Sequence, residues 1–340
     1  MSYWDFYHVW NKKKTMKVGE VSLTLRGHSV SARQSGFYID EWNLMLDAGI
    51  CSPYSPVYIC ISHGHSDHSY ELPMLVTGTT KHSTVFVPLG TQTLFDNLLR
   101  SKHDLSNDII GSDDYHVDND NCHGGNCNNS VEQHNDVGDK GHDDEDHGNH
   151  SEYQTPVTLV PVSGEGVTVD MVGINSHKVV MRTFTTYHTV RSVGYAYFHV
   201  KSRLKAQYRD VPKDQMKRVA LEVKGQGLTM SEQYQVPLFV YTGDTSPHVF
   251  DQPLFTDNVF PYIITECTFF EQLEPELPPD TVTNRANMHG HTSWCLLLPY
   301  ITRMTNTTFI LTHFSARYKL QDVINFISQT GITNVIVWDN

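Results

Sequence analysis

Residues 18–26 (VGEVSLTLR) alternate apolar and polar side chains, the period of a strand with one buried face. Residues 36–48 read as a strand, a turn at Glu41–Asn43 and a second strand ending at Asp47. Val57–Ser62 is a short apolar run rich in β-formers, as a buried strand is. The same criteria predict strands at 84–88, 157–161, 167–173, 178–186, 193–200, 237–241, 260–265 and 308–312. Helices are expected at 91–100, with Thr91 as its cap, near 292–304, and at 320–329. Runs of strands followed by helices, repeated in two halves, predict an α/β fold of layered αββα type, one domain over residues 1–340.

Two stretches break this pattern. Residues 111–154 are rich in Asp, Asn, His and Gly and nearly devoid of large apolar side chains. Such a segment cannot bury enough surface to offset its ordering entropy, so a disordered insertion in a surface loop is expected. Residues 201–236 form a basic, glycine-containing segment. The net charge of −13 argues at first against a nucleic-acid partner. Residues 113–152, however, hold twelve Asp/Glu and one Lys, which leaves about −2 for the rest of the chain. The six cysteines form no C-x-x-C pair, no apolar run approaches a membrane span, and the N-terminus lacks a basic region followed by an apolar one. A soluble, intracellular, cytoplasmic protein with no membrane partner is the expectation.

The densest chemistry follows the strand at 57–62. His63-Gly64-His65-Ser66-Asp67-His68 puts three imidazoles and a carboxylate into six residues at a strand end. Two histidines two residues apart can face one metal, and the Asp and third His a second metal nearby. Imidazole with carboxylate suits zinc.

The H-x-H-x-D-H segment resembles the signature of the metallo-β-lactamase superfamily. Later motifs narrow the resemblance: Tyr187-His188-Thr189, Tyr241-Thr242-Gly243-Asp244-Thr245, Thr265-Glu266-Cys267-Thr268-Phe269, Gly290-His291-Thr292-Ser293, and Leu311 to Tyr318 (LTHFSARY). In this order they are similar to ribonuclease Z, the tRNA 3′-processing endonuclease, in its short, plant-type form. The resemblance spans about residues 21 to 320 apart from the acidic insertion. Taken singly, His188, His313, Asp244 and Glu266 read as ordinary strand-end or turn residues; the series carries the reading. The Gly-Thr-Gly turn and Pro-x-Lys-x-Arg-Asn loop of many bacterial members are missing, and Gly27-His28-Ser29 with Arg33 stands in that region.

The resemblance implies a four-layer αββα metallo-β-lactamase sandwich with two zinc ions per subunit. His63, His65 and His188 would hold one, Asp67, His68 and His313 the other, and Asp244 would bridge them. A hydroxide held between the ions would attack a phosphodiester, with Asp67 orienting it. Asp47 would either support the ligands or simply end a turn with Gly49. His291, backed by Glu266, would protonate the leaving oxygen, with His289 as the alternative. Ser315 and Arg317 would touch a phosphate or serve structure. Short ribonuclease Z enzymes carry an arm between the His188-type and Asp244-type motifs that clamps the tRNA, and residues 201–236 occupy that position. Between 201 and 224 lie Lys201, Arg203, Lys205, Arg209, Lys213, Lys217, Arg218 and Lys224 against three acids. Cations on one segment suit an RNA backbone. The expectation is therefore an endoribonuclease that removes the 3′ trailer of precursor tRNA as a homodimer. The alternatives are a β-lactam hydrolase or a small-molecule phosphodiesterase on the same site.

Overall fold

The computed structural model describes residues 9–77, 81–106, 157–171, 178–278 and 280–339. Its strands form two seven-stranded sheets, and in each the spatial order is the chain order. The first holds β1 (Lys13–Val18), β2 (Val21–Val30), β3 (Gln34–Ile39), β4 (Leu44–Leu46), β5 (Tyr58–Cys60), β6 (Ser83–Pro88) and β7 (Val157–Val162). The second holds β8 (Thr168–Met171), β9 (Val179–Thr185), β10 (Val193–Leu204), β11 (Ser231–Tyr241), β12 (Tyr262–Glu266), β13 (Thr308–Thr312) and β14 (Val335–Val337). Both sheets begin as a four-stranded antiparallel meander and continue with three parallel strands. The repetition in two halves expected from the sequence is thus a repetition of topology.

Alternation along each strand sets the layers. Cys60, Tyr195, Tyr197, Phe239, Tyr241 and Ile310 face the space between the sheets and pack with Phe37, Leu46 and Trp338. Their neighbours Ile59 and Ile61 point outward, against α2 (Leu72–Thr77) and α3 (Gln92–Ser106). On the other side Ala196, Phe198, Val240, Phe309 and Leu311 meet α5 (Pro253–Asp257), α7 (Trp294–Arg303) and α8 (Leu320–Gln329). The result is helix, sheet, sheet, helix, the expected αββα order. Two further helices, α1 (Ser66–Ser69) and α6 (Thr281–Met288), stand at the sheet ends, and α4 (Lys213–Gly225) lies between β10 and β11.

Three expectations need correction. The alternating run 18–26 is not one strand: it crosses the turn of the β1–β2 hairpin, where Gly19 has φ +60°. Val18 and Val21 pair across that turn on one face although three residues apart, so the period of two breaks at the turn and restarts at Val21. β14 and α6 had no strong periodic signal and were not expected. The basic segment is more regular than an irregular arm, because β10 continues to Leu204 and β11 begins at Ser231. The two strands make a ribbon that carries α4, whose Met216, Val219, Ala220 and Val223 form its less exposed face at helical spacing. The acidic segment 111–154 lies outside the described residues. Among the described residues no helix is long and apolar enough to cross a membrane.

One buried group makes stability depend on pH. His28, on β2, holds Nδ1 in the interior with no hydrogen-bond partner among the described residues. Burial, aided by Lys12, pushes its pKa down to about 4. Unfolded, an imidazole titrates near ~6.5. Between these values the unfolded chain binds a proton that the folded chain refuses, so this group's contribution falls as pH drops through that window. The urea midpoint of His28→Gln should therefore drop less between pH 7 and pH 5 than that of the natural chain. An equal drop in both would show that His28 is not the sensor.

Candidate metal centre

The site forms where the two sheets meet at the carboxyl ends of β4, β5, β11, β12 and β13. Open α/β sheets place ligands at this edge. Three short bridges close it: His63 with Ser192, Val30 with Phe314, and Phe269 with Ser293. The chain after β5 reaches His63 and His65 in extended form, then winds into α1. Asp67 and His68 therefore leave the first turn of a helix that starts just after His65. Gly49 permits this: a Cβ there would sit 1.7 Å from the carbonyl oxygen of Asp67. Asp47 and His313 both have positive φ, +59° and +60°. That conformation costs an L-residue roughly 1–3 kcal/mol and persists where the surroundings enforce it.

The predicted ligands converge. His63, His65 and His188 have ring nitrogens within 4.8 Å of one another, and so do the donor atoms of Asp67, His68 and His313. Asp244 Oδ2 lies 3.3 Å from His68 Nε2, 3.4 Å from His313 Nε2 and 3.9 Å from His63 Nε2, between the two groups. His291 borders the same cluster, with Nδ1 3.8 Å from Asp244, but both Glu266 oxygens hold that nitrogen at 3.0 Å. His289 is exposed at the end of α6. The structure thus puts His291, not His289, beside the carboxylate.

Hydrogen bonding fixes which nitrogen of each ring carries the proton. His188 Nδ1 faces the carbonyl of Gly290 at 2.9 Å, so it must donate. His68 Nδ1 faces Asp47 at 2.6 Å and does the same. The Ser62 hydroxyl donates to Asp47 at 2.8 Å, so it can only accept from His63 Nδ1. The Thr268 hydroxyl donates to Glu266, so it accepts from His313 Nδ1. All four rings then turn the bare Nε2 lone pair inward. His68 and His313 bring those nitrogens to 3.2 Å, and His63 Nε2 lies 3.1 Å from His65 Nδ1. Lone pairs at such range repel unless a proton or a metal ion lies between them. The donor set therefore fits metal ions, and the outer hydrogen bonds are those that orient ligand imidazoles.

The electrostatics agree. Burial, reinforced by His68 and the other imidazoles, pushes His63 well below its ordinary pKa and keeps it neutral, as a ligand must be. Burial works against charge on His68, yet Asp244 and Asp47 outweigh it and push its pKa well above the usual value. The pocket demands positive charge at that point. Burial raises the Asp67 carboxyl, but the imidazoles of His313 and His68 beside it outweigh that and hold the group ionised. Burial opposes charge on His291 as well, and Glu266 pushes it up to about 9.

Two carboxylates that are not among the grouped metal donors of the two triads tie the loops together. Asp47 accepts from Ser62 N at 2.6 Å, from Tyr241 OH at 2.5 Å and from His68, joining β4, β5 and β11. This favours support over a mere turn. Glu266 accepts from Thr245 N at 2.7 Å, Thr292 N at 3.1 Å, His291 and Thr268. Ser62, Tyr241 and Thr268 were given no role from sequence, although Tyr241 and Thr268 lie within named motifs and Ser62 adjoins one. Ser315 and Arg317 line a cavity of about 520 Å³ with His65, His188 and His291. The arm's cations are mostly exposed. Lys201 pairs with Glu20 at 2.7 Å, Arg203 with Glu232 at 2.8 Å, Arg209 with Glu232 at 3.6 Å and Arg218 with Glu222 at 3.8 Å. Lys205, Lys213, Lys217 and Lys224 make no ion pair among the described residues.

Two substitutions test this scaffold. Asp47→Asn should weaken metal binding roughly 10–100-fold, read by metal titration of the folded protein. Gly49→Ala should cost more than about 2 kcal/mol of stability and deplete bound metal, because the Asp67 backbone must move. Gly64→Ala meets nothing within 4 Å and should change neither. Equal metal content in Asp47→Asn and the natural chain would remove Asp47 from the site.

No family model matches the chain. It is 22% identical over 309 residues to tRNase Z TRZ2, chloroplastic, of Arabidopsis thaliana, covering 89% of this chain and 70% of the relative. It is also 22% identical over 326 residues to tRNase Z TRZ1 of the same plant, covering 93% of both. Among solved structures, the short form of human tRNase Z overlays with a TM-score of 0.49 at 14% identity, covering 92% of this chain and 95% of that one. The metallo-β-lactamase fold protein YhfI from Bacillus subtilis gives 0.48 at 12%, covering 91% and 92%. With its αββα layers and its inward-facing imidazoles, this chain is similar over nearly its whole length to tRNase Z proteins of Arabidopsis thaliana.

Proposed function

We propose that the protein is a zinc endoribonuclease, with two ions per subunit, that removes the 3′ trailer of precursor tRNA and works as a homodimer. The observation that carries the reading is the sequence similarity to tRNase Z proteins over nearly the whole chain, ligand motifs and basic arm included. His63, His65 and His188 would hold one ion, Asp67, His68 and His313 the other, with Asp244 shared. Bound there, the ions would lower the pKa of a water molecule to about 7 and offset charge on the phosphate.

The chain's own groups account for the remaining needs of phosphodiester hydrolysis. Asp67 lies at the first turn of α1, within 3.4 Å of His313, and its Oδ2 accepts from Ala32 N at 2.9 Å. Held this way it orients the attacking water. His291 is gripped at Nδ1 by Glu266, which leaves Nε2 to hold a proton for the leaving 3′-oxygen. The ribbon and α4 present Lys205, Lys213, Lys217 and Lys224 to an RNA backbone. Exposed ion pairs such as that of Arg218 contribute only about 0–1 kcal/mol, so a phosphate can compete for those cations too. A hydrolase for small molecules has no use for such an arm.

The purified protein should cut a 3′-extended pre-tRNA after the discriminator base and contain zinc. Asp67→Ala should abolish the cut. His291→Ala should keep its metal and lose roughly 10²–10⁴-fold in kcat. Two bound zinc ions without pre-tRNA cleavage would refute the tRNA reading and point to β-lactams or small phosphodiesters. An unchanged kcat in His291→Ala would remove it as the proton donor.

A further inference from the structure

The cavity beside the metal centre has a second wall that neither the ligands nor the proton donor uses. Arg285 on α6, Phe269 and Arg317 line it together with His65, His188, His289 and His291. Arg285 and Arg317 both attach to one carboxylate, Glu274. Arg285 reaches both of its oxygens through Nη1, at 3.1 and 3.0 Å, and Arg317 approaches it at 3.9 Å. Glu274 is itself anchored by Tyr318 OH at 2.5 Å, and Tyr318 in turn accepts from Phe270 N at 3.2 Å. The Arg285 guanidinium also lies 5.7 Å from the centre of the Phe269 ring.

The geometry holds Arg285 in place without consuming it. A guanidinium has five N–H donors in a fixed fork. One nitrogen serves Glu274, and Nε and Nη2 donate to no acceptor among the described residues. Two guanidiniums against one carboxylate leave the wall with a net positive charge. It carries planar donors held by a half-buried anchor, the arrangement that suits bidentate recognition of phosphate. A lone scissile phosphate needs the metal centre; it does not need a second cationic wall in the same cavity.

We propose that Arg285, with Arg317, forms a subsite for the phosphate group next to the scissile one in a polynucleotide. This deepens the nuclease reading and rests on it. The subsite makes the enzyme prefer a continuous strand on both sides of the cut, and Glu274 acts as its positioning residue. Phe269 buttresses the guanidinium from below rather than meeting the substrate.

The test is a pair of cycles built from six rate constants. Pre-tRNA is made with its natural backbone or with one uncharged methylphosphonate beside the scissile phosphate, on the 5′ side in one substrate and the 3′ side in another. Each is cleaved by the natural enzyme and by Arg285→Ala, and kcat/KM is measured. The expected result is a loss of about tenfold or more from either change alone, and no further loss when both are combined at one of the two positions. Arg285→Lys, which keeps charge but not the fork, should recover part of the loss, mainly in KM. Losses that multiply at both positions, or a natural enzyme indifferent to both methylphosphonates, would overturn the subsite while leaving the nuclease intact. A natural enzyme that cuts no RNA at all yet hydrolyses bis(p-nitrophenyl) phosphate would overturn the nuclease reading and the subsite with it.

Discussion

Four imidazoles in this protein are each obliged by an outer hydrogen bond to turn a bare lone pair toward a common volume, and no polar group of the chain relieves them as well as a cation would. Ser62, Asp47, Thr268 and the Gly290 carbonyl set the four tautomers. Much of the surrounding architecture serves to keep those outer partners in place. Asp47 and His313 accept left-handed backbone at strand ends, and Gly49 gives up a side chain so that α1 can approach. A site built this way costs folding free energy unless metal is bound, so metal affinity and stability are coupled.

The sequence was most legible where chemistry and chain order coincide. The H-x-H-x-D-H run could be read directly because α1 is short: six consecutive residues supply donors to both groups. The later ligands lie far apart in the chain and became readable only as an ordered series of motifs. The residues that set the tautomers were harder. Tyr241 reaches Asp47 only because two sheets pack face to face, and Ser62 because β4 and β5 pair in parallel, contacts no local pattern encodes. Thr268 matters through the direction of one hydroxyl. Arg285 sits on a helix with weak amphipathic signal, and its partner Glu274 lies in an irregular segment. The hairpin at Gly19 was misread because the alternation of Val21, Leu23 and Leu25 was carried back to Val18, across a two-residue turn that shifts the parity of the faces.

The basic segment shows how the same charge pattern changes meaning with its frame. As a run of lysines and arginines it reads as an ordinary solvated face. On a β10–β11 ribbon that leaves the sheet, with α4 at its end, the cations are carried away from the body of an otherwise acidic chain. Those with partners have exposed, interchangeable ones, and screening at physiological salt makes such pairs easy to trade for phosphates.

The two halves share a topology but not a role. In each, the fourth strand ends at an aspartate near a left-handed residue: Asp47, itself at φ +59°, and Asp244, after Gly243 at φ +61°. Asp47 faces into protein and binds ring N–H and hydroxyl groups, whereas Asp244 faces the inward nitrogens of three imidazoles. The next strands diverge further. β5 leads to the histidine-rich turn, while β12 leads to Glu266, which binds loops and the His291 ring. β13 leads to His313, but β6 ends at Pro88 and leads to Leu89 and Gly90. The cavity beside the site is lined mostly by the second half. There α6 and the segment after β12 complete the cavity with Phe269, Arg285 and His291. A duplicated scaffold has room for one metal centre, and the side chains that would make the other half equivalent supply its hydrogen-bonded frame instead.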